Sequence, residues 1–211
     1  MNYPLYDGHV SKDARRLIAD GRLDKALDEY RRLAELGSAL ARCVLAYLSL
    51  RDLPGAPRSA HVAKALANAA LSREPGYANY VLAYAASYEK DSAKSVELMY
   101  ESYKSHFIPA ASAIGLIFGQ GYGVSKDPKK AEAFFLRAIS LGHIPAPMLL
   151  CRFYMQGQRG VVKASLGLLL FPISFLYMWV CTRFLIFSIH SFRHFNLAVP
   201  PMFNERALKS W

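Results

Sequence analysis

Residues 121–157, GYGVSKDPKKAEAFFLRAISLGHIPAPMLLCRFYMQG, predict two consecutive helices. Asp127 can cap the first helix, whose apolar side chains recur at helical spacing until Gly142 ends it. Pro128 lies where a proline in the first turn of a helix is tolerated, and Pro145 opens the second helix. Alanines among the aromatic residues let the two helices approach closely. Because a single hairpin of this kind cannot bury its apolar face, the stretch predicts neighbours of the same design.

Further helix pairs precede this one, at helical spacing and separated by glycine or proline. They are predicted at residues 23–36 with 39–50, 61–72 with 77–88, 92–105 with 109–118, and 127–141 with 145–154, and a short helix is predicted at 11–20. A shift of 36 residues relates the last two pairs by matching Lys94 with Lys130, Ile108 with Ile144, Pro109 with Pro145, Ala110 with Ala146 and Gln120-Gly121 with Gln156-Gly157. The regular period predicts a helical solenoid of about four pairs.

The last two pairs resemble the Sel-one-like repeat, a relative of the tetratricopeptide repeat. The resemblance is carried by Ala113, Gly115, Phe118, Gly121, Gly123, Val124, Asp127, Lys130, Ala131, Phe135, Ala138, Gly142, Ala146 and Leu150. It is close over residues 92–157, loose over 11–90 and absent from 158–211. It implies an all-α, right-handed helical-repeat solenoid, and a role as an adaptor or scaffold in signalling, secretion, stress response or exopolysaccharide assembly. The matched residues are structural in that family, so none of them is carried over as a binding residue.

Charge and apolar residues are both concentrated near the end of the chain. Residues 152–211 hold seven basic side chains against one acidic one, whereas residues 1–151 hold 19 basic and 15 acidic ones. A basic surplus beside apolar sequence fits an anionic membrane surface better than a nucleic acid. Residues 1–11 lack a basic segment followed by an apolar one, so no cleaved signal peptide is expected.

Residues 164–182, ASLGLLLFPISFLYMWVCT, form a 19-residue stretch without a formal charge. At about 1.5 Å per residue this nearly matches the ~30 Å hydrocarbon core of a bilayer. Lys163 and Arg183 flank the stretch, and Tyr177 and Trp179 stand near its second end, as interfacial aromatic residues do.

Three structures are compatible with this stretch. It can form a single transmembrane helix near residues 164–186, with Arg183 reaching to the interface. It can form a re-entrant or interfacial hairpin, since Pro172 is able to break a helix. It can also form a core helix of the solenoid, although a helix that is apolar on every side needs a large protein around it.

The sequence predicts no catalytic residue, no cofactor and no metal site. Cys43, Cys151 and Cys181 are far apart and form no CxxC pair. The glycines of residues 119–123 are explained by a turn between helices, because no strand precedes them as a phosphate-binding loop requires. The one pattern that suggests a partner surface is a set of tyrosines at helical spacing that could line a groove: Tyr77, Tyr80, Tyr84 and Tyr88.

These observations predict a membrane-anchored, non-enzymatic scaffold that binds a protein partner. The expected organisation is a flexible lead (1–10), a helical-repeat solenoid (11–158), an apolar membrane segment (159–192) and a short basic tail (193–211). The expected location is the inner membrane, with the solenoid in the cytoplasm and an integral membrane protein and membrane lipid as partners. By resemblance, a candidate client is a polysaccharide synthase or export complex. Two alternatives stay open: a ligand- or lipid-binding subunit with a pocket between solenoid and tail, and a soluble adaptor that buries its tail in a dimer.

Overall fold

The computed structural model describes Ala14, Leu17 and residues 22–51 and 58–187. Apart from Ala14 and Leu17, which are helical, these residues form helices α1 (Leu23–Glu35), α2 (Ala39–Leu48), α3 (Ala60–Ala70), α4 (Pro75–Tyr88), α5 (Ser92–Lys104), α6 (Ile108–Gln120), α7 (Pro128–Ser140), α8 (Ala146–Met155) and α9 (Val161–Phe187). No strand occurs in this part of the chain. The all-α prediction is therefore confirmed for the residues described.

The helices from α1 to α8 match the four predicted pairs, with ends that differ by no more than two residues. Most of the predicted helix at 11–20 lies outside the described residues, as do the predicted lead at 1–10 and tail at 193–211. The chain forms two compact units, Met1–His106 with α1 to α5 and Phe107–Trp211 with α6 to α9. The boundary between the units lies inside the third predicted pair.

Small residues allow the helices within each unit to pack closely. In the first unit Ala63 and Ala67 of α3 are completely buried. In the second unit a Cβ added to Gly115 of α6 would lie 2.9 Å from the ring of Phe135 on α7. A larger side chain at such positions would separate the helices, because protein cores have little free space.

The turn of the last repeat forms as its sequence predicts. The Asp127 carboxylate accepts hydrogen bonds from the backbone N–H groups of Lys129 and Lys130, which otherwise lack a partner at the start of a helix. After α7 the chain reverses at Gly142, whose φ of +81° is a left-handed conformation that glycine adopts without strain. These two residues fix where α7 begins and ends.

Helix α9 differs from the others in length and continuity. It has 27 residues, and Pro172 lies inside it without ending it. The structure therefore differs from the expectation of a hairpin broken at Pro172, since the helix continues on both sides of that residue. The reason is that a proline removes one hydrogen bond of the helix, while the neighbouring turns keep theirs.

Candidate functional site

The exposed surface of α9 is the most apolar surface that the structure describes. Within Val161–Cys181, the segment long and apolar enough to cross a membrane, only 11% of the best 18-residue window is buried. The large exposed side chains are Val161, Val162, Leu166, Leu168, Leu169, Leu170, Ile173, Phe175, Leu176, Tyr177 and Trp179. A soluble monomer rarely exposes a continuous apolar surface of this size, so the surface calls for a lipid or protein environment. The expectation of a buried core helix does not describe α9.

One narrow stripe of α9 is covered. Gly167 and Ser174 are buried, and both belong to this stripe because they are two helical turns apart. A Cβ on Gly167 would lie 2.6 Å from the carbonyl oxygen of Cys151 on α8. The backbones of α8 and α9 thus approach so closely at this point that only glycine fits.

Two contacts show that α8 and α9 run antiparallel. The ammonium group of Lys163 lies 5.2 Å from the ring centre of Tyr154, and Gly167 lies against Cys151. Moving four residues forward along α9 therefore corresponds to moving three residues back along α8. By this register the first half of α9 lies beside the ten residues of α8, and the second half extends past the start of α8.

The root of α9 is held by a carboxylate from the preceding pair of helices. Glu132 on α7 is only 8% exposed. Its Oε1 accepts a hydrogen bond from Tyr154 Oη on α8 at 2.5 Å and one from Lys163 Nζ on α9. Its Oε2 accepts a hydrogen bond from Arg159 Nε at 2.6 Å, from the link between α8 and α9. Glu132 thus joins three consecutive parts of the chain, and we call these four residues the root cluster.

The charge of Glu132 is strongly stabilised in the root cluster. Burial raises the pKa of this carboxyl, but the hydrogen bonds from Lys163, Tyr154 and Arg159 outweigh burial and lower the pKa to about 2. Burial raises the pKa of Tyr154 above its usual value, and the hydrogen bond to the negatively charged Glu132 raises it further. At neutral pH the cluster is therefore a carboxylate bound to a neutral phenol and two cations.

The predicted membrane-flanking residues differ in their surroundings. Lys163, predicted to flank the membrane segment, directs its ammonium group to Glu132. Pro172, Tyr177 and Trp179 are exposed on the open sides of α9. Arg183 belongs to the helical backbone, but its side chain lies outside the described residues.

Three of the four tyrosines proposed for a groove lie in the core of the first unit. Tyr77, Tyr80 and Tyr84 are buried, and only Tyr88 is partly exposed. The rings of Tyr80 and Tyr84 pack edge-to-face with centres 4.8 Å apart. This corrects the expectation of an accessible groove, because α4 is covered by α3 and α5 along most of its surface. Tyr88 alone stays a predicted contact residue.

The described residues do not assemble a recognisable catalytic or metal site. Ser112 Oγ lies 2.6 Å from His143 Nδ1, but both side chains are buried and link the start of α6 to the turn before α8. No group of three or more potential metal ligands occurs among these residues.

Sequence reasoning missed three residues of the root cluster: Glu132, Tyr154 and Arg159. One signal was present, because Glu132 is three residues before Phe135 and thus lies on the side of α7 that faces the interior. An acidic residue on an apolar side indicates a buried ion pair. Its partners could not be identified, because Arg159 and Lys163 are 27 and 31 residues away along the chain.

No family model and no curated protein sequence matches the chain. Several solved structures are similar to it, among them the following two. A protective antigen present in uropathogenic Escherichia coli strains, which displays an SLR fold, is 20% identical with a TM-score of 0.52, and the match covers 89% of this chain and 44% of that one. A Sel1 repeat protein from Oxalobacter formigenes is 20% identical with a TM-score of 0.49, covering 72% of this chain and 61% of the other.

The chain therefore spans less than half the length of the antigen and less than two thirds of the second protein. At this level of identity the similarity concerns the fold and not the activity. The similarity to the antigen confirms the predicted helical-repeat architecture. The chain has the all-α helical-repeat fold found in Sel1-like repeat proteins.

Proposed function

We propose that this protein is a scaffold in which the helical repeats bind a protein partner and α9 anchors them in a membrane. The observation that carries the anchor is the open apolar surface of α9, which has large exposed side chains on every side except the stripe of Gly167. Transfer of a helix that is apolar on all sides from water into lipid is favourable. The gain is about 25 cal/mol for each Å² of apolar surface removed from water.

The dimensions of α9 support the same assignment. Its 27 residues extend about 40 Å, which exceeds the ~30 Å thickness of the hydrocarbon core. No acidic or basic residue occurs between Lys163 and Arg183. Tyr177 and Trp179, both exposed, are residue types that prefer the membrane interface.

For the repeats we propose an integral membrane protein or complex as the partner, with the repeats on the cytoplasmic side of the inner membrane. Helical repeats commonly present extended surfaces to other proteins, because each repeat adds to a continuous face. The family resemblance makes a complex for polysaccharide synthesis or export one candidate client. The described part of the chain presents no catalytic constellation that would favour an enzyme.

The anchor is tested by extracting membranes that contain the full chain with alkaline carbonate and then with detergent. We expect carbonate to leave the protein in the pellet and detergent to release it, because lipid holds the apolar surface of α9. The double variant Ile173→Asp with Leu176→Asp places two charges on exposed positions of α9 and should move most of the protein into the carbonate supernatant. Leu136→Asp is the control, since Leu136 is also an exposed leucine but lies on α7.

Release of the unaltered chain by carbonate would contradict the anchor and favour a dimer that buries α9. Co-purification from detergent-solubilised membranes then tests the scaffold. A membrane protein recovered in fixed proportion supports it, whereas a chain recovered alone with bound lipid or nucleotide supports a ligand-binding subunit. Deletion of residues 160–211 separates the two roles, because the repeats should lose the membrane and keep any partner that they bind directly.

A further inference from the structure

We infer that Glu132 fastens the apolar helix to the last helical repeat, so that α9 and the pair α7–α8 turn as one body. This inference rests on the proposed anchor for its consequence in a membrane. The fastening itself concerns contacts within the second unit and exists whether or not α9 enters lipid.

The first support is the number of separate chain elements that meet at one carboxylate. Tyr154 from α8, Arg159 from the link and Lys163 from α9 all donate to Glu132 on α7. Hydrogen bonds to an ionised and nearly buried group are stronger than those between neutral groups. Movement of α9 away from the repeat would separate two cations from a carboxylate that water reaches only slightly.

The second support is a further point of attachment one helical turn along α9. At Gly167 the backbone of α9 comes so near to α8 that an added Cβ would lie 2.6 Å from the carbonyl oxygen of Cys151. A helix held at one point can pivot about it, but attachments at Lys163 and Gly167 fix both its position and its direction. The two contacts differ in kind, since one is ionic and the other is close packing of backbones.

The third support is that residues 107–187 offer no other acidic residue that can replace Glu132. In residues 107–187 the only other carboxylate is Asp127, which accepts hydrogen bonds from the first N–H groups of α7. Without Glu132, Arg159 and Lys163 would be neighbouring cations that repel each other. The link of residues 156–160 would then lose the contact that holds Arg159 in place.

The consequence is that α9 is a rigid anchor and not a flexible tether. If α9 enters a bilayer, its direction relative to α7 and α8 determines which side of this pair faces the lipid. A partner would therefore meet the last repeat in a fixed orientation and at a fixed height above the membrane.

Limited trypsin digestion of the full chain in mild detergent tests the fastening. Trypsin cuts after arginine, and Arg159 is held by Glu132, so the bond between Arg159 and Gly160 should be protected. We expect Glu132→Gln, which keeps the side-chain shape and removes the charge, to increase cleavage at this bond at least fivefold. Glu97→Gln breaks an exposed ion pair with Lys94 and should leave the rate unchanged.

A distance measurement gives an independent readout of the direction of α9. Spin labels at Gln120→Cys on α6 and Ile173→Cys on α9, in a Cys181→Ser background, should give one narrow distance distribution. We expect Glu132→Gln to broaden it. Circular dichroism establishes that each variant is folded. If Glu132→Gln does not fold, Lys163→Met removes one donor and should change both readouts in the same direction, to a smaller extent.

Unchanged cleavage and an unchanged distance distribution in the folded variants would overturn the inference. This result is separate from a failure of the anchor, which is judged by carbonate extraction of the unaltered chain. A protein that leaves the membrane in carbonate but shows the Glu132 effect has a fastened helix with another function. A protein that stays in the membrane without the Glu132 effect has an anchor on a flexible link.

Discussion

Helices α4 and α9 are both apolar on nearly every side, but their surroundings are opposite. Ten of the 14 residues of α4 are buried, among them Tyr77, Tyr80 and Tyr84. Among the side chains of α9 that the structure describes, the buried ones lie on one stripe, and one as large as Trp179 is 54% exposed. Helix α4 packs against α2, α3 and α5, whereas α8 is the main helix that covers α9.

An apolar helix thus requires burial, but its sequence does not specify which surface covers it. In α4 the cover comes from neighbouring repeats of the same chain. Helix α9 follows the last repeat, so no further repeat in the described part of the chain packs against its exposed sides. What covers these sides has to come from outside the described residues. A terminal repeat usually presents a polar outer face. Here the outer face of α8 is instead packed against the apolar helix α9.

The largest change in the free energy of unfolding is expected when one aromatic side chain from each helix is removed in turn. Tyr80→Ala removes a side chain that is 1% exposed and should lower the free energy of unfolding by about 3–5 kcal/mol. Trp179→Ala removes a larger but exposed side chain and should change it by less than about 0.5 kcal/mol. Urea unfolding of the full chain in mild detergent, followed by circular dichroism, measures both. Equal losses would show that α9 is enclosed by protein, which would remove the contrast with α4.

A smaller effect is expected from pH, and it concerns the ionic contact between Glu132 on α7 and Lys163 on α9. The pKa of Glu132 is lowered to about 2, so its stabilising contribution is complete above the ordinary carboxyl pKa near 4.5 and is lost as the pH falls towards 2. This lowering of the pKa corresponds to a contribution on the order of 3 kcal/mol to the free energy of unfolding at pH 7.

The measurement is the difference in unfolding free energy between the unaltered chain and Glu132→Gln at a series of pH values. This difference should be largest at neutral pH and should shrink between about pH 4.5 and pH 2. The exposed Glu97→Gln shows how far the general titration of carboxylates contributes. A difference that does not depend on pH would mean that the Glu132 charge plays no part in the fastening.

The smallest effect is expected at the covered stripe of α9. Gly167→Ala adds a Cβ that would lie 2.6 Å from the Cys151 carbonyl, so α8 and α9 have to separate slightly. We expect a loss of about 1–3 kcal/mol in the free energy of unfolding. Ser165→Ala is the control on the exposed side of the same helix. Equal, small changes in both variants would mean that α8 does not restrain α9 at this point.

The sequence was sufficient to predict the helices and their pairing. The ends of the helices could be located from local signals, such as the cap at Asp127 and the left-handed turn at Gly142. Such signals depend only on residues that are close together in the chain. The boundary between the two units at His106 and Phe107 was not predicted. It depends on the balance of packing among many residues, which a repeat pattern does not express.

The candidate site was predicted less completely. The apolar stretch was recognised, because length and lack of charge are visible in sequence. Tyr77, Tyr80 and Tyr84 were wrongly assigned to a groove, since helical spacing is the same for a buried row and for a groove. Lys163 was assigned to the membrane interface because nothing in the sequence joins it to Glu132, which is 31 residues away and contacts it only after α7, α8 and α9 have packed.

The spacing of the two attachments of α9 makes the helix a lever. Lys163 and Gly167 are four residues apart, about 6 Å along the axis, while the end of the helix at Phe187 lies a further 30 Å away. A lateral displacement of 1 Å of one attachment relative to the other would therefore become a displacement of roughly 5 Å at the far end. Ionic bonds at Lys163 and close backbone packing at Gly167 keep this displacement small. The direction of α9, and with it the position of its far end, is thus determined within a single helical turn at its root.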